Sequence, residues 1–297
     1  MAMRELCCVV CASSEYRVRY PERIPAIESL NFSARRSPQR YHARMVECRR
    51  CGLVYSSPYF DEAMLKLLYR DAAYIDEQQL ENMAADYFRE FTRSAGNLDL
   101  SARILEIGCA NGFFLERLYE AGYQNFRGVE PGKDAVSKAS RAIQEKITND
   151  FFQPSLFATE SFDVVCCFQI FDHLPDPGRF VADVRSLLRP GGILMTINHN
   201  IRSLITRVLG ERSPMYDIEH IYLFDKSTIN RLFAAHGFEV TRVANLSNSY
   251  TLAYAIKMFP LPSDIKTLLT KVGSGALSKV NIRVPAGNMV TVGRKIL

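Results

Sequence analysis

Arg103-Ile-Leu-Glu-Ile-Gly-Cys-Ala-Asn-Gly-Phe-Phe-Leu115 decides the fold of this 297-residue chain. Ile104, Leu105 and Ile107 form the short apolar run of a buried parallel strand, and glycines at 108 and 112 mark a turn before a helix that starts at Phe113. Gly108 permits a sharp turn at the strand end, and Gly112 is expected to leave room for a ligand against the helix N-terminus. Three nucleotide-handling loops share this outline. A G-x-G-x-x-G fingerprint needs glycine at 110 and 113, which are Ala110 and Phe113. A phosphate-gripping loop needs Gly-Lys-Ser/Thr, a triplet the sequence lacks. What remains is acidic-x-Gly-x-small-x-Gly, from Glu106 through Gly108 and Ala110 to Gly112.

Working outward, the pattern after Arg103 alternates strand and helix. Strands are expected at 125–129, near 146–148, at 162–169, 193–198 and 238–243, with a last one at 289–294; helices are expected at 177–188 and 226–235. This order predicts an α/β fold, a parallel Rossmann-like sheet with helices on both faces. Glu130 sits at the tip of the second strand, Asp150 at the tip of the third and Gln169 at the tip of the fourth. In such sheets the carboxyl ends of the strands are where ligands bind. Between Asn248 and Pro285 the alternation breaks, and 250–258 and 263–272 read as helical pieces of an insertion that could shape an acceptor pocket or a homodimer contact.

Upstream, Cys8-Val-Val-Cys11 and Cys48-Arg-Arg-Cys51 are two C-x-x-C knuckles whose thiolates can close a tetrahedral structural zinc site, with a long basic loop between them. Residues 1–56 hold ten arginines against five glutamates, with no lysine or aspartate, which is the whole of the net charge of +5. That arm could receive a phosphate-bearing substrate, touch nucleic acid, or simply be a solvated basic face. Asp61-Glu62 starts a helix with Met64, Leu65, Leu67 and Leu68 inward, and 76–94 reads as a second helix that would cover a cofactor cleft or pack on the sheet. The chain thus divides into a zinc-binding basic region (1–60), a helical lid (61–100) and a Rossmann-like domain (101–297).

Cys48-Arg-Arg-Cys-Gly-Leu-Val-Tyr55, Leu105-Glu-Ile-Gly-Cys-Ala-Asn-Gly112, Phe162-Asp-Val-Val165, Asp172-His-Leu-Pro-Asp-Pro177 and Leu188-Arg-Pro-Gly-Gly192 together resemble the class I S-adenosylmethionine (SAM) methyltransferases with an N-terminal zinc-binding domain. That group includes sugar C-methyltransferases of deoxysugar biosynthesis, which continue into a further C-terminal domain without counterpart before Leu297. The resemblance implies SAM as cofactor, with Glu106, Gly108, Ala110 and Gly112 in the binding loop, Glu130 on the ribose hydroxyls, Asp150 on the adenine amino group, and Gln169 and His173 lining the pocket. The family's Tyr-x-Glu-His base motif is partly matched by Glu219-His220, because position 217 is Asp and the tyrosine falls at 216.

Methyl transfer to an alcohol or enolisable carbon needs a base near neutral pH, for which histidine is the natural side chain. His42 lies in the basic arm and His236 at a helix end, so neither points to chemistry. His173, His199 and His220 belong to the carboxyl-end rim, and His220 is favoured as base with Glu219 or Tyr216 as partner. No cleavable leader opens the sequence and no apolar run of membrane-spanning length occurs, so the eight cysteines fit a reducing cytoplasm. Three functions stay in view: a methyltransferase acting on a carbon or oxygen of a small molecule such as a nucleotide-linked sugar, an RNA methyltransferase gripping RNA through the basic arm, and a non-catalytic SAM-fold scaffold. Residues 1–56 lack the basic and aromatic interleaving of a nucleic-acid stacking platform, which favours the first.

Overall fold

The strand that opens the decisive stretch lies inside a seven-stranded sheet, flanked on both sides by parallel neighbours. In chain order the strands are β1 Met3–Arg4, β2 Tyr16–Tyr20, β3 Met45–Cys48, β4 Val54–Ser56, β5 Tyr59–Phe60, β6 Ile104–Ile107, β7 Phe126–Val129, β8 Ile147–Thr148, β9 Phe162–Phe168, β10 Leu188–His199, β11 Tyr222–Leu223, β12 Phe238–Thr251 and β13 Asn281–Lys295. The computed structural model describes residues 3–25, 41–61, 63–65, 80–258 and 280–296.

The large sheet runs β12-β13-β10-β9-β6-β7-β8. From β6 the chain builds outward through β7 and β8, then returns to the other side of β6 with β9 and β10. The strand order therefore reverses between β6 and β9, and a crevice opens beyond their carboxyl ends. The central strands are buried along their full length, as Ile104-Leu-Glu-Ile107 and Phe162 to Phe168 require when both faces are covered. One face packs Tyr87, Phe91, Phe114, Leu115 and Leu118 from helices Leu80–Ala95 and Phe113–Glu120. The other packs Val181, Val184, Leu232 and Phe233 from helices Pro177–Leu187 and Lys226–Ala235.

Two sequence expectations change at the sheet's far edge. The sheet is not wholly parallel, because β13 runs antiparallel to both β10 and β12. The strands expected at 238–243 and 289–294 are only the inner parts of β12 and β13, which continue as paired arms as far as Thr251 opposite Asn281. Their outer halves carry Asn245, Asn248, Ser249 and Arg283, too polar to register as buried strand, and Pro285 falls at a register shift where a ladder donor is not needed. Helix Leu252–Met258 follows, so the helical reading holds there but not at Tyr250 and Thr251; the piece expected at 263–272 lies outside the described residues. Asp61 acts as the expected helix cap, its Oδ1 accepting from Met64 N at 2.9 Å, while 66–79 lie outside the described residues.

The cysteine region forms a second sheet, β11-β4-β3-β2, with β1 paired to β5 beside it. Its edge strand β11 comes from far along the chain, Tyr222 pairing with Tyr55 and Leu223 with Val54. Cys8, Val46, Tyr55 and Tyr59 share one apolar core with Ile218, Tyr222 and Phe224. Among the described residues no helix is long and apolar enough to cross a membrane.

Candidate cofactor loop and histidine rim

After β6 the backbone passes through left-handed conformations at Gly108 (φ 76°), Ala110 (φ 50°) and Gly112 (φ 73°), and Gln169 after β9 adopts another (φ 56°). Such a conformation costs an L-residue about 1–2 kcal/mol, so Ala110 and Gln169 hold it only because their surroundings do. Val129 O accepts from both Gly108 N (2.8 Å) and Cys109 N (3.2 Å), tying the loop to the end of β7. Glu130 then locks it: Oε2 accepts from Ala110 N at 3.0 Å and Oε1 from Gly132 N at 2.8 Å.

The glycines serve a purpose other than the open space expected at Gly112. A Cβ there would lie 2.4 Å from Ile143 Cγ2, and one at Gly108 would lie 2.1 Å from Ile170 Cδ1. Both glycines are required by φ and by close packing of these isoleucines, neither of which is near them in sequence.

Burial raises the Glu130 carboxyl above its ordinary range against the two amide hydrogen bonds that favour its ionised form. Glu106, fully buried in β6, is pushed well up by desolvation and then by the Glu130 charge. Its Oε2 has no hydrogen-bond partner, and neither does the buried Oδ1 of Asn111 in the loop. The unpartnered Asn111 amide oxygen, next to the Ala110 amide that Glu130 holds, and the half-buried Glu130 carboxyl itself suit a ligand rich in donors, which the hydroxyls and ammonium of SAM provide. The residues therefore fit that group. Asp150 is exposed and its Oδ1 accepts from Phe151 N at 2.7 Å, while Asn149 Nδ2 donates to Glu130 O at 2.8 Å.

Beyond β9 and β10 three histidines converge. The His220 ring lies 4.9 Å from that of His173 and 4.6 Å from that of His199. His220 is buried, and its Nδ1 is 2.8 Å from Met215 O. Desolvation, then His199, lowers its pKa, with Asp217 and Asp172 acting in the opposite sense. The partners expected for it, Glu219 and Tyr216, also touch other groups. Glu219 Oε2 lies 3.8 Å from His173 Nδ1, and Tyr216 packs edge-on against Tyr20 at 4.9 Å with the Arg19 guanidinium 6.0 Å from its ring. The reason is a tight turn, in which His220 N donates to Asp217 O and Glu219 N to Asp217 Oδ1, sending successive side chains in different directions.

The cysteine sheet holds this turn. Ser56 Oγ donates to His220 O at 3.0 Å, Ser56 N donates to Ile221 O at 2.8 Å, and Tyr59 OH donates to Ile218 O. These contacts cross more than 150 residues of sequence, so motif reading had no access to them. The contact of Asp172 with the rim was equally hidden: buried, its Oδ2 accepts from His199 N at 2.9 Å and lies 2.7 Å from His199 Nδ1. Its place beside His173 in the Asp172-His-Leu-Pro motif was the one available signal.

Cys8, Cys11, Cys48 and Cys51 bring their sulfurs within 4.8 Å of one another, with Cys8 and Cys51 at 3.3 Å and Cys11 and Cys48 at 3.6 Å. Zinc–thiolate bonds of about 2.3 Å set tetrahedral sulfur–sulfur edges of about 3.8 Å, so the cluster has the dimensions of a closed four-thiolate site. Gly52 (φ 79°) and the Gly52 N to Cys48 O bond (3.0 Å) make the second knuckle's tight turn. A cleft of ≈ 410 Å³ lies where this sheet meets the segment after β10, lined by Arg19, Ile201, Arg202 and Arg207.

A family profile described as a methyltransferase domain matches residues 79–243, more than half of the chain. Among curated relatives, the ubiquinone biosynthesis O-methyltransferase of Aromatoleum aromaticum is 28% identical over 168 residues, 52% of this chain and 71% of that protein. The enzyme of the same name from Paraburkholderia phymatum is 30% identical over 116 residues, 36% of this chain and 50% of the relative, so the match spans only half of that protein's length. Among solved structures, a putative methyltransferase from Bacillus halodurans aligns with a TM-score of 0.52 at 16% identity, covering 72% of this chain and all of that one. The (4+2)-cyclase SpnF aligns with a TM-score of 0.50 at 16% identity, covering 72% and 82%. At that identity the two structures speak for the fold alone. The switch-point glycine loop, the carboxylate at the tip of β7 and the family match over 79–243 agree, and the chain belongs to the methyltransferase-domain family, carrying a class I SAM-dependent methyltransferase domain.

Proposed function

We propose that this protein transfers a methyl group from SAM to an oxygen or carbon of a small-molecule acceptor. The observation that carries the reading is the Glu130 carboxylate, half-buried and clamped to Ala110 N and Gly132 N at the carboxyl edge of β6 and β7, with a histidine rim beyond the neighbouring strand ends. Glu130 would accept the ribose hydroxyls through the second lone pairs of its oxygens, Asp150 the adenine amino group, and Glu106, Gly108, Ala110, Gly112, Gln169 and His173 would complete the pocket. When bound, SAM supplies a methyl already activated by its sulfonium. The chain's share is alignment, exclusion of water and proton removal.

His220 is the base in this reading. Its Nδ1 faces a carbonyl, which can only accept, so Nδ1 carries the proton and Nε2 of the neutral ring is free to take one from an acceptor hydroxyl. The lowered pKa supports a neutral ring at physiological pH. The names of the curated relatives favour oxygen over carbon as the methylated atom. The excess of arginine in residues 1–56 suits an acceptor bearing phosphate, such as a nucleotide-linked sugar. Residues 1–60 would form a zinc-binding region in which Cys8, Cys11, Cys48 and Cys51 hold the ion, 61–100 a helical cover and 101–297 the methyltransferase domain.

The test is a screen with methyl-labelled SAM against phenols, catechols and nucleotide sugars, read by mass spectrometry. Small-molecule methylation that His220→Ala slows by about 10² to 10⁴ in kcat, with SAM affinity intact, is the expected result. Turnover of His220→Ala at the wild-type rate would remove His220 from the mechanism, and methylation of RNA in place of any small molecule would overturn the function.

A further inference from the structure

Two of the rim histidines are held by partners of one chemical kind. His220 Nδ1 faces the Met215 carbonyl, and His199 Nδ1 faces Asp172 Oδ2 at 2.7 Å. Neither partner has a proton to give when it is a carbonyl or a carboxylate, so in both neutral rings Nδ1 carries the hydrogen and Nε2 accepts. Asp172 is committed to this task. Its Oδ2 also accepts the His199 amide at 2.9 Å, its own carbonyl accepts from Ile221 N at 2.9 Å, and its Oδ1 is buried with no partner. It thereby connects the end of β10 to the turn that carries His220. The other titratable groups around the pair are His173, with its ring 4.9 Å from His220 and Glu219 beside it, and Asp217 in the turn.

We propose that Asp172 is a positioning residue for methyl transfer: it fixes His199 as the Nδ1–H tautomer, so that His199 and His220 form a pair of proton-accepting imidazoles that holds one proton between them. The inference rests on the reading of the rim as the acid–base part of a methyltransferase site. When an acceptor hydroxyl loses its proton to Nε2 of either ring, that ring becomes an imidazolium beside the Asp172 carboxylate. The other ring stays neutral, because a second positive charge with ring centroids 4.6 Å apart would be repelled.

The experiment is nitrogen-15 spectroscopy of histidine side chains in the full chain across pH, with SAM present and no acceptor required; His199→Gln and His220→Gln assign the signals. The expected wild-type result is Nδ1–H on both rings. Asp172→Ala removes the acceptor from His199 Nδ1, so the His199 Nδ1–H signature should give way to an Nε2–H population. SAM affinity by calorimetry, expected within twofold of wild type in Asp172→Ala, separates this inference from the cofactor reading: wild-type protein that does not bind SAM refutes that reading whatever the tautomers. An Nε2–H tautomer for His199 in the wild type overturns the proposal even if the variant does not fold, and so does an Asp172→Ala protein in which both rings keep the wild-type tautomers.

Discussion

Replacing Glu130 with glutamine is expected to weaken SAM binding by about 10- to 150-fold and to abolish most of its pH dependence. Both oxygens of Glu130 already receive backbone amides, from Ala110 and Gly132. Glutamine can serve only one of those amides, turning its NH2 toward the other, and it offers no charge to ribose hydroxyls or to the cationic ligand. A hydrogen bond to a charged group is worth about 1.5–3 kcal/mol, which gives that range of affinity. The sign of the pH effect follows from the raised pKa of the half-buried carboxyl. SAM favours the ionised form, so wild-type affinity should increase as pH rises from the ordinary value of 4.5 through the raised one, then level off, with proton release on binding in that window. Without ligand the same shift acts on folding in the opposite direction. Folded Glu130 holds its proton more tightly than the unfolded chain, so its contribution is fully present below 4.5 and is lost as pH rises through the folded pKa. Calorimetry in buffers of different ionisation enthalpy counts the protons. A Glu130→Gln protein that binds SAM within twofold of wild type, with the same proton release, would refute the assignment.

Further outcomes are expected elsewhere in the molecule. Elemental analysis of untagged protein should find one zinc per chain, lost in Cys48→Ser, and chelation should lower Tm by roughly ten degrees or more if several kcal/mol of metal binding is withdrawn; metal-free protein with an unchanged Tm contradicts the site. Tyr59→Phe leaves the buried Ile218 carbonyl without its donor and should cost about 1–3 kcal/mol in urea unfolding while SAM affinity is preserved. Gly108→Ala should destabilise by at least about 1–2 kcal/mol from backbone strain alone, and displace Ile170, so cofactor binding and Tm should fall together.

The sequence by itself determined the α/β fold, because apolar runs of strand length alternating with amphipathic helices have few ways to bury both faces of a sheet. It also located the glycine turn between Glu106 and Gly112 and the two cysteine knuckles, since these depend on residue types a few positions apart along one stretch of chain. Tertiary structure decided what no local pattern encodes. It made β13 antiparallel, filled the space beside Gly108 and Gly112 with Ile170 and Ile143, and gave Glu219 to His173 and Tyr216 to Tyr20 and Arg19. It drew Asp172 to His199 across 27 residues and tied the His220 turn to Ser56 across 164. The physical reason is common to all of these. A hydrogen bond or a packed side chain acts over a few ångströms of space, and which distant segments come that close is fixed only when the sheet order and the shared core close the chain upon itself.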